Sequence, residues 1–137
     1  MTSDAMPNGH HAAGEFTTKT RSGETTDTVE NIALARTIID KVFQGQLDAT
    51  GVVEMLSAGG GAPGSAGYVA IERVTGTLDG HVGTFVLQHT GTMTRGEAQL
   101  AISVVPDSGT GELKGISGTM KIVMGEGKKS YEFDYWL

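Results

Sequence analysis

The sequence contains no cysteine. A thiol nucleophile, a disulfide framework and a cysteine-ligated zinc are therefore excluded. Proline is scarce at 3 residues, so neither a proline-rich linker nor a collagen-like repeat is present. No apolar run reaches the roughly 18 residues that a membrane-crossing helix needs. Basic residues are also in the minority: 10 Lys and Arg face 16 Asp and Glu, for a formal charge of −6. Such a surface repels nucleic acid and anionic membranes. The few basic residues are scattered rather than interleaved with aromatics, which gives no footprint for nucleic acid. Met1 to Gly14 has no basic start followed by an apolar stretch, so no secretory signal is expected and the default location is the cytoplasm.

Glycine is the informative excess. The 137 residues include 21 glycines, about twice the usual share. The length fits one domain with a core that needs no covalent staple. Residues 1–14 are polar and aperiodic and read as a disordered tail, with a single domain over 15–137. His10 and His11 lie in that tail. Adjacent histidines on an extended chain do not readily share one ion, and no third ligand is near, so no metal site is expected.

Beyond the tail the chain alternates with period two, the signature of strands. Runs of β-branched and aromatic residues start at Gly67, His81, Glu97, Gly115 and Lys128. They are separated by turn signals at Asp79-Gly80, Arg95-Gly96, Asp107 to Gly111 and Gly125 to Gly127. Ala33 to Gly45 and Gln46 to Gly59 read as two more strands, and Glu15 to Arg21 as another. Thr25 to Asn31 reads as a loop. The fold class is all-β. About eight consecutive antiparallel strands with short turns close most economically into an up-and-down β-barrel, which removes exposed edges. A barrel of this size is either filled by side chains or holds one small ligand.

The alternation assigns faces. Phe85, Leu87, His89, Gly91 and Met93 oppose the polar set Thr84, Gln88, Thr90 and Thr92, so the first set points inward. Arg73 with Thr75 and Thr77 marks an outer face, which turns Tyr68, Ala70, Glu72 and Val74 inward. Leu100, Ile102 and Val104 follow in the next strand, then Ile116, Met120, Ile122 and Met124, then Tyr131, Phe133, Tyr135 and Leu137. Glu54 and Met55 lie on opposite faces, and either could be the inner one.

The interior is therefore apolar and Met-rich, with Glu72, His89 and tyrosine hydroxyls as its polar groups. A buried carboxylate is costly unless it is paired. Titratable groups in an apolar pocket are the default binding or catalytic site. Two functions fit. The pocket binds a small hydrophobic or aromatic molecule through Tyr68, Phe85, Leu87, Met93, Met120 and Tyr135. Alternatively, a partly desolvated Glu72 acts as general base with His89 beside it, in an isomerase, cyclase or lyase type of proton transfer that extends to benzisoxazole elimination. The structural alternative is that Glu72 hydrogen-bonds His89 or a tyrosine and rigidifies the sheet. No cofactor is expected. Gly59 to Gly64 formally matches G-x-G-x-x-G, but it contains Pro63 and leads into a strand rather than a helix, so it lacks the context of a dinucleotide site. Ser57 to Gly67 reads instead as a long flexible connection able to act as a lid. Gly115-Ile116-Ser117-Gly118 lacks the spacing of a nucleophile elbow.

Several long segments resemble a known family. They are VEMLSAG at 53–59, GSAGYVAIERVTG at 64–76, GTFVLQHTGTM at 83–93, VVPDSGTGEL at 104–113 and Tyr131-Glu132-Phe133. Together they are similar to a family of short bacterial proteins known as a domain of unknown function, over Phe16 to Leu137. The resemblance implies a barrel like that of allene oxide cyclase, within a wider class that includes the lipocalins, and it implies a homodimer. It implies no reaction. Ala33 to Lys41 matches only loosely, so no role is carried onto those residues.

Overall fold

The computed structural model describes residues 9–137. It contains nine strands: β1 (Gly9–Val29), β2 (Ile32–Phe43), β3 (Leu47–Gly59), β4 (Ala66–Leu78), β5 (His81–Thr94), β6 (Glu97–Val104), β7 (Thr110–Gly111), β8 (Ser117–Gly125) and β9 (Lys128–Trp136). There is no helix among the described residues. Neighbours run antiparallel in the order β4-β3-β2-β1-β9-β8-β6-β5, and β4 pairs with β5 as well, so the hydrogen bonding passes round a ring. The short β7 sits against the start of β5.

Local chemistry explains this meander. At Asp79-Gly80 both residues have positive φ, 47° and 85°. That is the mirror-image turn whose twist matches the flanking strands. Arg95-Gly96 and Glu126-Gly127 repeat the sign pattern.

Three expectations about the chain path need correction. Residues 9–14 are not a tail: Gly9 to Glu15 pair with Ser130 to Trp136 of β9. The remainder of the expected tail, residues 1–8, lies outside the described residues. Thr25 to Val29 is not a loop but the end of β1, which pairs with β2 and turns at Glu30-Asn31. The connection after β3 is short and tied down. Ser65 Oγ accepts the Arg95 N–H at 3.0 Å, and the Gly64 carbonyl accepts the Gly96 N–H at 3.0 Å. It is joined to the β5–β6 turn and is no free lid.

One half of the ring is closed and filled. Phe43, Leu47, Leu78, Phe85, Leu87, Leu113, Tyr131 and Phe133 are sealed there. Phe85 and Phe133 stack with centroids 5.6 Å apart, and Tyr131 meets Phe43 edge-on at 5.7 Å. The buried phenols are satisfied. Tyr131 donates to the Gln44 carbonyl at 2.8 Å and accepts the Leu47 N–H at 3.0 Å, while Tyr135 donates to the Asp79 carboxylate.

The other half is open. β9 leaves β1 after Glu15, and β6 pairs with β8 only at Ile102–Met120 and Ser103–Thr119. Met93, Leu100 and Met124 have the inward parity expected of them, yet they are exposed, Met124 to 66%. They lie where the facing wall is missing. Leu137 is exposed as well, one residue beyond the end of β9. Met55 shares the inner face with Val53, and Glu54 points outward to Arg36, 3.1 Å away.

All three tyrosines are held above their ordinary value. Burial is the main cause, joined by the Glu72 charge at Tyr68 and by the hydrogen bond to Asp79 at Tyr135. The fold therefore favours the neutral phenols. Their contribution is complete below the unfolded value near pH 10 and is lost as pH rises toward the raised folded values. In a spectrophotometric titration, phenolate absorbance is expected to appear above pH 10, together with loss of the native circular dichroism. A simple non-cooperative titration centred at pH 10 would contradict this.

Candidate functional site

Glu72 stands in the middle of β4, where Val53 of β3 and Leu87 of β5 are its register partners. Its side chain has no solvent exposure. Alternation places it inside, as expected. What makes the position tenable is a pair of donors from two other strands. His89 of β5 places Nε2 2.8 Å from Glu72 Oε1, and Lys41 of β2 donates Nζ to the same oxygen at 3.2 Å. Lys41 brings a compensating positive charge, and the His89 ring nitrogen completes the pair of contacts on Oε1.

Lys41 is only 8% exposed. Its ammonium lies 4.9 Å from the Phe16 ring centroid and 5.5 Å from that of Phe43, and both ring faces favour a cation. Sequence reasoning missed Lys41. The available signal was its parity: it alternates with Phe43 and Ile39, so it occupies an inward position on β2.

The second carboxylate oxygen, Oε2, is buried and has no hydrogen-bond partner among the described residues. It fills space that Gly51 leaves empty. A Cβ at residue 51 would stand 2.3 Å from Oε2 and 3.2 Å from the Phe43 ring. Glycine here permits close approach of the carboxylate.

Toward the open end lies an apolar cavity of about 270 Å³, whose lining includes Met55, Tyr68, Gly91, Met93 and Leu100. Tyr68 packs its ring on the Gly91 backbone: a Cβ at residue 91 would come within 2.4 Å of a ring carbon. On the inner face of β4, Ala70 is the one residue between Tyr68 and Glu72. Ala70, with its register partner His89 on β5, thus stands between the cavity and the carboxylate. A larger concavity of about 560 Å³ lies on the outer face around Arg36, Leu56, Val69 and Ile71.

The eight residues singled out in the sequence do not form one central pocket. Glu72 and His89 meet directly. Tyr68 and Met93 line the mouth cavity. Phe85, Leu87, Met120 and Tyr135 belong to the packed core, because aromatic stacking fills the closed half. His10 and His11 sit on β1, where His10 stacks on Tyr135 and His11 places Nδ1 2.6 Å from an Asp134 oxygen. Among the described residues no group of three or more metal-capable side chains gathers.

The model of a family described as a protein of unknown function, DUF3224, matches residues 12–135. The chain belongs to the DUF3224 family. A crystal structure of a DUF3224 protein of unknown function from Shewanella oneidensis MR-1 is 46% identical to it. The two superpose with a TM-score of 0.87, over 93% of this chain and 96% of that one. No curated protein matches. In this DUF3224 chain Lys41, Glu72 and His89 form a buried cluster of three polar side chains.

Removing one member of a buried ion pair leaves the other charge uncompensated, at a cost of about 3–5 kcal/mol. Lys41→Met is expected to lose that much in urea denaturation. Lys41→Met combined with Glu72→Leu is expected to recover most of it. Equal destabilisation of the single and double variants would contradict the pairing.

Proposed function

We propose that this DUF3224 protein is a small β-barrel, similar in kind to the lipocalins and allene oxide cyclase, that binds a small hydrophobic or aromatic molecule at its open mouth. The ligand carries one hydrogen-bond donor. The observation that carries this reading is Glu72 Oε2, a sealed acceptor without a donor among the described residues, two inner-face positions along β4 from the Tyr68 wall of an apolar cavity. Leaving such an acceptor unpaired costs about 1–3 kcal/mol, and an O–H or N–H on a ligand recovers it. Met55, Met93 and Leu100 supply an adaptable apolar wall, and Tyr68 supplies a flat aromatic surface. At about 270 Å³ the cavity suits a molecule of one or two rings.

The test compares 2-naphthol with naphthalene in thermal unfolding. At a hundredfold excess over Kd, binding adds about 2.7 kcal/mol, or roughly 10 °C in Tm. 2-Naphthol is expected to approach that shift and naphthalene to fall well short of it. Ala70→Leu, which plugs the space between cavity and carboxylate, is expected to remove the difference. Equal shifts from both compounds, or a naphthol shift that survives Ala70→Leu, would overturn the reading.

A second reading rests on the asymmetry of the carboxylate. Oε1 is anchored by two donors while Oε2 keeps its lone pairs, which is how a general base is held in place. Glu72 then acts as base in isomerase, cyclase or lyase chemistry, with His89 and Lys41 as positioning residues. With 5-nitrobenzisoxazole, Oε2 takes the ring C–H proton, the N–O bond breaks, and a phenolate leaves with a nitrile formed. An acceleration of roughly 10²–10⁴-fold is expected, abolished in Glu72→Gln. Unchanged turnover in that variant would reject Glu72 as the base.

A further inference from the structure

The first strand has an unusual second half. From Thr17 to Val29, β1 is hydrogen-bonded to β2 on one side only, because β9 pairs with it no further than Glu15. Every residue of this stretch is exposed. Alternate residues therefore point their N–H and C=O groups away from β2, and among the described residues no strand receives them, although Lys129 of β9 donates to the Thr18 hydroxyl at 2.6 Å at the start of the stretch. A long edge of this kind is a template for another strand. Its threonines, at 17, 18, 20, 25, 26 and 28, are good strand formers.

The charges on this edge identify its partner. Lys19 and Arg21 occupy the first half, and Glu24 and Asp27 the second. Natural edges are often guarded by charge of one sign, which repels a copy of itself. Here the signs are separated along the strand. When two copies lie antiparallel about a two-fold axis near Ser22 and Gly23, the basic half of each faces the acidic half of the other. Opposite charges across strands attract and like charges repel. The chain as a whole carries −6, yet this stretch has two charges of each sign, so copies meet here without the general repulsion.

The strand carries bulges between Thr20 and Ser22 and between Thr25 and Asp27. They leave Thr17–Thr20 and Ser22–Thr25 in regular register with β2, enough for a ladder on the free side. Arg21, at the first bulge, is held to β2 by both oxygens of Asp40.

We propose that two copies of this chain associate through the free edge of β1, antiparallel across Thr17–Val29, and join their sheets into one. The dimer is isologous, since the same strand serves both sides. It extends the wall of the ring on the side that β9 abandons. It does not depend on the ligand or the chemistry of Glu72.

Sedimentation velocity on the full chain across the micromolar range tests it. The wild type is expected to dimerise, and more weakly at high salt. Glu24→Lys with Asp27→Lys makes the strand wholly basic, and Lys19→Glu with Ser22→Glu makes it predominantly acidic while sparing the Arg21–Asp40 contact. Each variant alone is expected to weaken self-association by roughly a hundredfold or more. Mixed in equal amounts, the two are expected to form a heterodimer. Circular dichroism establishes that both variants are folded. A monomeric wild type would overturn the proposal. So would a dimer indifferent to both charge changes, or folded variants that fail to pair when mixed.

Discussion

A carboxylate removed from water has to be matched by charge and by donors, and Glu72 is matched by groups on two other strands. Lys41 and His89 converge on a single oxygen, so β2, β4 and β5 are held together across the interior as well as along their edges. The consequences spread outward. Phe16 and Phe43 present ring faces to the ammonium, and Gly51 stays bare because the free oxygen occupies the space of its side chain. A buried pair of this kind adds little net stability over a well-packed apolar substitute, but its half-removal is severe. It acts as a geometric constraint on which residues can surround it.

The site also lies at a boundary. On one side of Glu72 the ring is complete and aromatic stacking leaves no room for a guest. On the other side β9 has left β1, β6 and β8 have parted, and an apolar cavity opens. Glu72 thus sits between a dry core and an accessible apolar cup. Low local dielectric strengthens whatever hydrogen bond forms there. The DUF3224 protein from Shewanella oneidensis MR-1 superposes over nearly its whole length, so the same sheet plan serves both chains.

The open half leaves backbone edges as well as a cavity. An antiparallel ring avoids edges only as far as its strands stay paired. Once β9 stops at Glu15, the rest of β1 carries an unpaired edge, and its side chains decide what can join it. Edge and cavity both belong to the side of the ring where strand pairing is incomplete, the edge where β9 ends and the cavity beside the briefly paired β6.

Much of this protein could be read from alternation alone. The period of two put Glu72 and His89 on inner faces, and side-chain direction in a strand is a local property. Glycine after an acidic or basic residue marked the tight turns, since φ is local as well. Alternation also gave Met93, Leu100 and Met124 their inward parity, but it could not say that no wall stands across from them. Lys41 had the same parity signal, yet a lone lysine among β-formers shows its worth only when a carboxylate arrives from two strands away. Where the ring closes, where it opens and which oxygen is left without a donor depend on register between distant strands. Parity states which side a residue faces, whereas only the packed sheet decides what it faces.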